Sequence, residues 1–289
     1  MRRITRLLKT PRIASLRRRL RRWLPIAAAA AFALVVYGYL TLPDVRPLAT
    51  VNPATTAFIE LRLAEARAAG RPPRRTQRWV SYERISPHLK RAVLVAEDSA
   101  FWRHDGVDLE QLKESIETNL ERGQLARGAS TITQQLAKNL YLSPARTPMR
   151  KLRELIIARR LEAELSKRRI LELYLNVVEW GDGIYGAEAA SRTYFRKPAS
   201  ALSPSEAALL AGALVNARVL VPSRANARLL RRQRIILARM GAVTPPAPAV
   251  LRAAEPVPAV AIEPVNEPRA QDPSVAPAST EDAASAPPR

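Results

Sequence analysis

Residues Val93 to Asp108 read VLVAEDSAFWRHDGVD, a mostly apolar run that stops at an acidic pair, Glu97 and Asp98, with Phe101, Trp102, His104, Asp105 and Gly106 close behind. Upstream, Ser86-Pro87 is a helix start, with serine as cap and proline at the first helical position, and Leu89, Val93 and Ala96 share a face. The run is therefore expected to be a helix that delivers Glu97 at its C-terminal end. Unpaired carbonyls concentrate partial negative charge there, so a carboxylate sits against the local field. A solvated helix end is the ordinary reading of one such pair; a perturbed acid at a functional site is the other.

Working outward on the C-terminal side, Asp108 is suited to cap a second helix, whose stripe of Leu109, Leu112, Ile116 and Leu120 runs up to Gly123. That stripe faces either the core or lipid; periodicity does not choose. Next comes RGASTITQQLAKNL from Arg127. If it is helical from about Ser130, Ile132, Leu136 and Leu140 line one side, while Thr131, Gln134, Gln135 and Lys138 gather on the other. Two glutamines and a lysine make a donor-rich face suited to sugar hydroxyls and phosphate oxygens, although a solvated polar face has the same pattern.

Residues Met149 to Asn176 carry two helices broken around Ser166, and Glu154 projects among Ile157, Ala158, Leu161 and Leu165 in an apolar arc. A carboxylate there is costly to ionise unless paired. Arg150, four residues earlier, is the ordinary intrahelical partner. Glu162, Glu164 and Glu172 stand among arginines and lysines and have weaker claims. Trp180 to Gly186 is a glycine-punctuated loop leading into AEAASRTYF, Ser203-Pro204-Ser205-Glu206 is a capping box, and Asn226 to Met240 reads as a last basic helix stopped by Gly241. No period-2 run of any length interrupts the series, so a domain over 75–241 should be mainly α. The Pro- and Ala-rich residues 242–289 are expected to form a disordered tail.

On the N-terminal side, the chain of 289 residues has 47 Lys and Arg against 26 Asp and Glu, for a formal charge of +21. An anionic partner is implied: nucleic acid, lipid headgroups or a phosphorylated substrate. Ten basic residues and no acid precede Trp23, and Leu24 to Leu42 is uncharged and mostly apolar. At ~1.5 Å per residue this stretch spans about 28 Å, close to a bilayer's hydrocarbon thickness. We read residues 1–23 as a basic cytoplasmic arm, 24–42 as a transmembrane helix with Trp23, Tyr37 and Tyr39 near its ends, and 43–74 as a juxtamembrane stalk holding an amphipathic helix around Thr56 to Ala69. A cleaved signal peptide is the competing reading, but the run is longer than a usual signal core and no small-residue site closes it. There is no cysteine, which excludes disulfide and thiol chemistry.

Taken together, EDSAFWRHDGVD from Glu97, GASTITQQLAKNLYL from Gly128, RKLRELIIARRLE from Arg150, RRILELYLN from Arg168 and GDGIYGAEAASRTYF from Gly181 resemble, in order, the motifs of glycosyltransferase family 51, the peptidoglycan glycosyltransferases. The match covers roughly residues 80–215. It is similar to the monofunctional, membrane-anchored members; the SxxK and KTG signatures of the transpeptidase domain carried by bifunctional members do not occur. The resemblance implies a lysozyme-like glycosyltransferase domain behind a single transmembrane helix, in a bacterial inner membrane with the N-terminus cytoplasmic and the domain periplasmic. The implied substrate is lipid II, a disaccharide-pentapeptide on undecaprenyl pyrophosphate, polymerised into β-1,4 glycan strands.

By the same resemblance Glu97 is the general base and Glu154 the second essential glutamate, near the leaving group. Lys138, Arg146 and Arg150 neutralise the departing pyrophosphate; Gln134 and Gln135 bind the donor; Asp98, Ser130, Thr131 and Thr133 shape the cleft. Replacing an α-linked pyrophosphate to give a β-linkage makes the reaction one inverting displacement. No cofactor is required and no metal-ligand cluster is found, though a Mg or Mn ion is compatible with pyrophosphate departure. Expected partners are lipid II and the growing strand, the bilayer, and cell-wall synthesis or divisome proteins, not nucleic acid. The sequence departs from the family pattern across Asn216 to Asn226, and Pro148, between Arg146 and Arg150, is expected to change how that loop presents its cations. A lysozyme-like lytic enzyme and a membrane-tethered binder of anionic ligands remain as alternatives.

Overall fold

A computed structural model describes residues 11–122, 130–145 and 147–242. All of them fall in one compact unit, Met1–Glu255; the expected tail and Arg146 lie outside the described residues. The described chain is mainly helical, with ten α-helices: α1 (Pro11–Leu40), α2 (Ala57–Ala68), α3 (Pro87–Glu97), α4 (Leu109–Arg122), α5 (Ile132–Tyr141), α6 (Pro148–Glu164), α7 (Lys167–Val177), α8 (Ala187–Phe195), α9 (Pro204–Ala213) and α10 (Ala227–Arg239).

Local chemistry sets most of the starts. Thr56, Ser86, Asp108, Thr131, Thr147, Ser166, Ser203 and Asn226 each accept a hydrogen bond from a first-turn amide, satisfying one of the donors a helix start leaves free. Ser203 and Glu206 complete a capping box. Pro148 occupies the first turn of α6 behind its Thr147 cap, where its missing N–H costs nothing, so it starts the helix rather than bending a loop.

Helix α5 lies at the centre, packed on α2, α6 and α7; a second group stacks α3 on α9 and α9 on α10. Ile132, Leu136, Ile157, Leu161, Leu171 and Tyr174 close the core between α5, α6 and α7. The region read as glycine-punctuated loop is instead a tight hairpin. Strands β2 (Glu179–Gly181) and β3 (Ile184–Tyr185) pair antiparallel through an Asp182-Gly183 turn, and β1 (Thr76–Gln77) pairs with β3 in parallel, in the order β1-β3-β2. Gly183 has φ +72°, and a Cβ there would come within 2.7 Å of Arg74 Cβ, so the turn needs glycine. Strands of two and three residues are too short for period-2 alternation to show.

One further expectation changes, and one question left open narrows. Residues 43–74 are not a stalk separate from a domain beginning at 75. Val45, Leu48 and Ile59 are buried, α2 packs on α5, and Arg169 of α7 grips the segment through Leu48 O at 2.7 Å, Val51 O at 3.1 Å and Asn52 Oδ1 at 2.8 Å. Two of those acceptors are backbone carbonyls, which a sequence pattern cannot reveal. On α4, Leu109 is 70% and Leu112 39% exposed, so these two do not face the core.

At the N-terminus, α1 covers most of the expected span and runs through Pro25. Among the described residues no helix is long and apolar enough to cross a membrane; the side chains of Ala31, Leu34 and Val35, inside the expected span, lie outside those described. The end of α1 is tied to α6. Arg153 donates to Thr41 O at 3.1 Å and Thr41 Oγ1 at 2.8 Å, and the Arg160 guanidinium lies 4.7 Å from the Tyr39 ring centroid.

Candidate active site

Glu97 is the last residue of α3, and its partly buried carboxylate accepts a hydrogen bond from Gln135 Nε2 at 2.9 Å. The same amide accepts from the Tyr174 hydroxyl at 3.0 Å. These two partners fix the amide's orientation, because a carboxylate can only accept from it and the phenol is left to donate. Tyr174 is fully buried in α7, so Glu97 Oε2 is tethered through Gln135 to the core. Burial is the first cause that raises the Glu97 carboxyl above its ordinary value; the Gln135 hydrogen bond, Arg232 and Lys138 pull the other way, and Asp98 adds to the rise.

Asp98 does something different. It is buried, accepts from His104 Nε2 at 3.0 Å and takes the Ile132 amide of α5 at 2.9 Å, joining the end of α3 to the start of α5. His104 Nδ1 accepts the Gly106 N–H at 3.2 Å. Gly106 O in turn accepts from Thr131 Oγ1 at 2.7 Å and Gln134 Nε2 at 3.2 Å. Its φ is +86°, and a Cβ would meet Glu162 Cγ at 3.1 Å and Ala158 O at 3.3 Å, which reserves the position for glycine. The loop from Asp98 to Asp108 is thus a hydrogen-bonded frame, and the expected polar face of α5 splits. Thr131 and Gln134 are buried and spend their polar atoms on this frame, whereas Gln135 and Lys138 reach toward the cleft.

Glu154 sits where the apolar arc placed it, buried beside Ile157, Ala158 and Leu161. It is doubly paired: Arg150 Nη1 meets Oε2 at 2.5 Å and Lys151 Nζ meets Oε1 at 2.5 Å. Lys151 also donates to Gln134 Oε1 at 2.8 Å and Ser130 Oγ at 3.3 Å, linking α6 to α5. The sequence reading passed over Lys151, although its i,i+3 spacing to Glu154 put it on the same side of the helix. Thr133 bonds Glu162 rather than the cleft, at 2.6 Å, and Glu172 brackets Trp79, the Tyr82 amide and Arg169. Of the three weaker glutamates, Glu162 and Glu172 are structural braces.

Lys138 feels both carboxylates. Burial, the largest influence, pulls its ammonium below the ordinary value; Glu154 and Glu97 raise it, while Arg150 and Lys151 lower it. It lines a cavity of about 220 Å³ with Phe58, Arg62, Gln135, Asn216 and Arg218. Asn216 and Arg218 come from the stretch where the motif match was weakest. Arg232, which acts on Glu97 from α10, is held by Gly212 O at 3.0 Å and was hidden within a uniformly basic helix. Among the described residues no group of three or more His, Cys, Asp or Glu is placed to hold a metal ion.

The arrangement is one carboxylate made more basic, a second locked between two cations, and a partly desolvated lysine that senses both. Glu97, Glu154, Arg150 and Lys151 all act electrostatically on Lys138, so the two carboxylates and the cations meet around that one side chain. The model of the family described as Transglycosylase matches residues 65–241. A biosynthetic peptidoglycan transglycosylase of Laribacter hongkongensis is 49% identical over 195 residues, 68% of this chain and 86% of the relative. One of Thiobacillus denitrificans is 46% identical over 231 residues, 79% of this chain and 99% of the relative. One of Aromatoleum aromaticum is 54% identical over 167 residues, 58% of this chain and 73% of the relative. The chain belongs to the transglycosylase family.

Proposed function

We infer that this chain is a peptidoglycan glycosyltransferase, which polymerises lipid II into β-1,4 glycan strands by inverting displacement of undecaprenyl pyrophosphate. The observation that carries the reading is the grouping of Glu97 and the Arg150–Glu154–Lys151 cluster about Lys138 in a chain of this family.

Glu97 takes the proton of the acceptor's 4-hydroxyl as that oxygen attacks the donor's anomeric carbon. Gln135 holds Oε2, and no hydrogen bond within the described protein engages Oε1, which is the oxygen left to act. A carboxylate raised above its ordinary range is the stronger base, provided it is ionised at working pH. As the anomeric C–O bond breaks, the electron pair leaves on the pyrophosphate, and Lys138, Arg150 and Arg146 neutralise it. An approaching dianion favours the charged form of Lys138 that burial disfavours, so the phosphate is held more tightly than by a solvated lysine. Glu154 keeps Arg150 and Lys151 oriented and limits the cluster's positive charge. Asp98, Ser130, Thr131 and Gln134 shape the cleft by holding the loop and Lys151, and Gln135 serves the base more directly than the donor. These cationic side chains supply the charge neutralisation without a resident cofactor; a Mg or Mn ion would add to it through the pyrophosphate's own oxygens.

We further propose that the lysozyme-like body sits at the outer face of a bacterial inner membrane, anchored through residues 24–42 with the N-terminus cytoplasmic. Support comes from the basic arm, from the exposed Leu24, Ile26, Phe32 and Leu40 on α1, and from the exposed Leu109 and Leu112 on α4. Such seating brings the cleft to a lipid-borne substrate and leaves the charge to phospholipid rather than nucleic acid; partners among cell-wall synthesis or divisome proteins fit the same location.

Purified protein supplied with labelled lipid II should give polymer that lysozyme digests. Unchanged lipid II would sink the assignment, and release of fragments from preformed strands would turn it toward the lytic alternative.

A further inference from the structure

A second cavity, of about 360 Å³, opens between α2 and the β2–β3 hairpin, and no step above uses it. Arg62, Arg71, Arg74 and Arg218 line it, with Glu65 and Asp182 as the acidic members. Arg62 is committed, to Glu65 at 2.8 Å and Glu179 at 3.3 Å. Arg71 and Arg218 share Asp182 at 3.9 and 3.3 Å, longer than a tight ion pair, and Arg74 has no carboxylate partner among the described residues. The lining therefore holds surplus positive charge and loosely held donors.

A fully buried residue adds an independent observation. Tyr185, on β3, lines the cavity, is fully buried, and its hydroxyl has no hydrogen-bond partner. A buried phenol normally finds a partner, because leaving the group unsatisfied costs as much as a lost hydrogen bond. Glu179 Oε1 and Arg62 Nε are likewise buried and unpartnered beside it. Of these, the Tyr185 hydroxyl and Arg62 Nε are donors, and unsatisfied donors next to a cationic cavity are what a site for an incoming anion looks like before it is filled; Glu179 Oε1 can only accept and takes no part in holding an anion.

Position narrows the anion. Arg62 and Arg218 line both this cavity and the cleft that holds Gln135 and Lys138, so the two are neighbours along one surface. The phosphate-neutralising cations gather at Lys138 and α6, a separate part of that surface. The cavity also contains two carboxylates of its own, which suits a singly charged group better than a pyrophosphate. Four arginines with a tyrosine hydroxyl match the planar geometry of a carboxylate.

We propose that this cavity is a carboxylate-binding subsite that takes a free carboxylate of the peptide borne by the substrate, with Arg71, Arg74 and the Tyr185 hydroxyl as donors. The proposal rests on the glycosyltransferase reading and adds to it a device for recognising substrate by its peptide. Arg71 and Arg74 reach from the chain between α2 and β1, and the backbone there is held independently by Arg71 N to Ala66 O at 2.9 Å and Thr76 N to Gly183 O at 2.7 Å. Removing the two side chains therefore leaves the fold intact.

The test compares lipid II with free peptide carboxylates against lipid II whose carboxylates are amidated, for the full-length protein and for an Arg71→Ala/Arg74→Ala variant. The native protein should show a KM about tenfold lower for the free-carboxylate substrate at similar kcat, the scale of losing a charge-assisted contact. The double variant should lose that preference and process both substrates as the native protein processes the amidated one. Tyr185→Phe, which keeps the ring and deletes only the hydroxyl, should narrow the preference. Equal KM values in the native protein, or a preference that survives in the double variant, would overturn the subsite. Polymer formed without preference sinks the subsite alone, whereas no polymer from either substrate sinks the glycosyltransferase reading beneath it.

Discussion

Glu97 and Glu154 are two carboxylates taken out of water by the same small protein in opposite ways. Glu97 ends α3, is partly open, and has one neutral amide for a hydrogen-bond partner. Glu154 lies in mid-helix on α6, is almost fully buried, and is clamped by two cations at 2.5 Å. Burial with no cation in hydrogen-bond contact outweighs the pull of Arg232 and Lys138 and raises the first; paired burial makes the second part of a charge cluster that cannot easily give up its partners. One fold thus sets two acids apart by changing only what stands beside each, and the proposed roles of base and electrostatic anchor follow that difference.

The sharpest way to break that division is Glu97→Gln. Lipid II polymerisation should fall by roughly a thousandfold, within the range for loss of a general base. The same substitution should raise thermal stability at pH 7 and do so less at pH 4. The sign follows from the raised carboxyl: protonated Glu97 suits the fold, so its contribution is fully present below the ordinary value of 4.5 and is lost as pH rises through the higher folded-state value. Glutamine, never ionised, escapes that loss. A variant that polymerises normally, or is no more stable at either pH, would refute the assignment.

Lys138→Ala tests the ground between the two acids. Turnover should drop about a hundredfold, and weaker inhibition by added pyrophosphate should accompany it; undiminished turnover would remove the lysine from the phosphate role. Lys151→Ala tests the anchor, leaving Glu154 with Arg150 alone and Gln134 without its donor. Loss of about 1–2 kcal/mol in chemical denaturation is expected, smaller than for a fully buried pair because Lys151 is 41% exposed. The smallest effect belongs to Tyr174→Phe. Freed of the phenol, Gln135 can turn and loosen its hold on Glu97, so kcat should fall about three- to tenfold with KM little changed, and the acid limb of the pH-rate profile should move. A change in KM alone would show that Gln135 serves the donor instead.

Helices and their starts were legible because caps act within four residues. Ser86, Asp108, Ser203 and Asn226 announce their helices whatever packs around them. Glu154 was legible as a buried acid because the 3.6-residue period put it among Ile157, Ala158 and Leu161. Less could be read where a polar residue had two possible faces. Gln134 and Gln135 are adjacent and chemically identical; one turns inward to Gly106 and Lys151, the other to Glu97 and Tyr174. The hairpin at Asp182-Gly183 was too short to show alternation, and the packing of residues 43–74 depends on Arg169 finding backbone carbonyls more than a hundred residues away.

What the sequence by itself determined is therefore what short-range rules and ordered motifs encode: a mainly α chain, most of its helix starts, the family, and a carboxylate at a helix end and another in an apolar arc. Tertiary structure alone decided what surrounds each acid. The raised carboxyl of Glu97 depends on burial at the end of α3 beside Gln135 of α5 and Arg232 of α10, with Tyr174 of α7 behind Gln135, and Lys151, an intrahelical partner of Glu154, is held in addition by Gln134 and Ser130 from a distant segment. Those are properties of an environment assembled from distant segments, and a carboxylate's chemistry is set by its surroundings rather than by its own place in the chain.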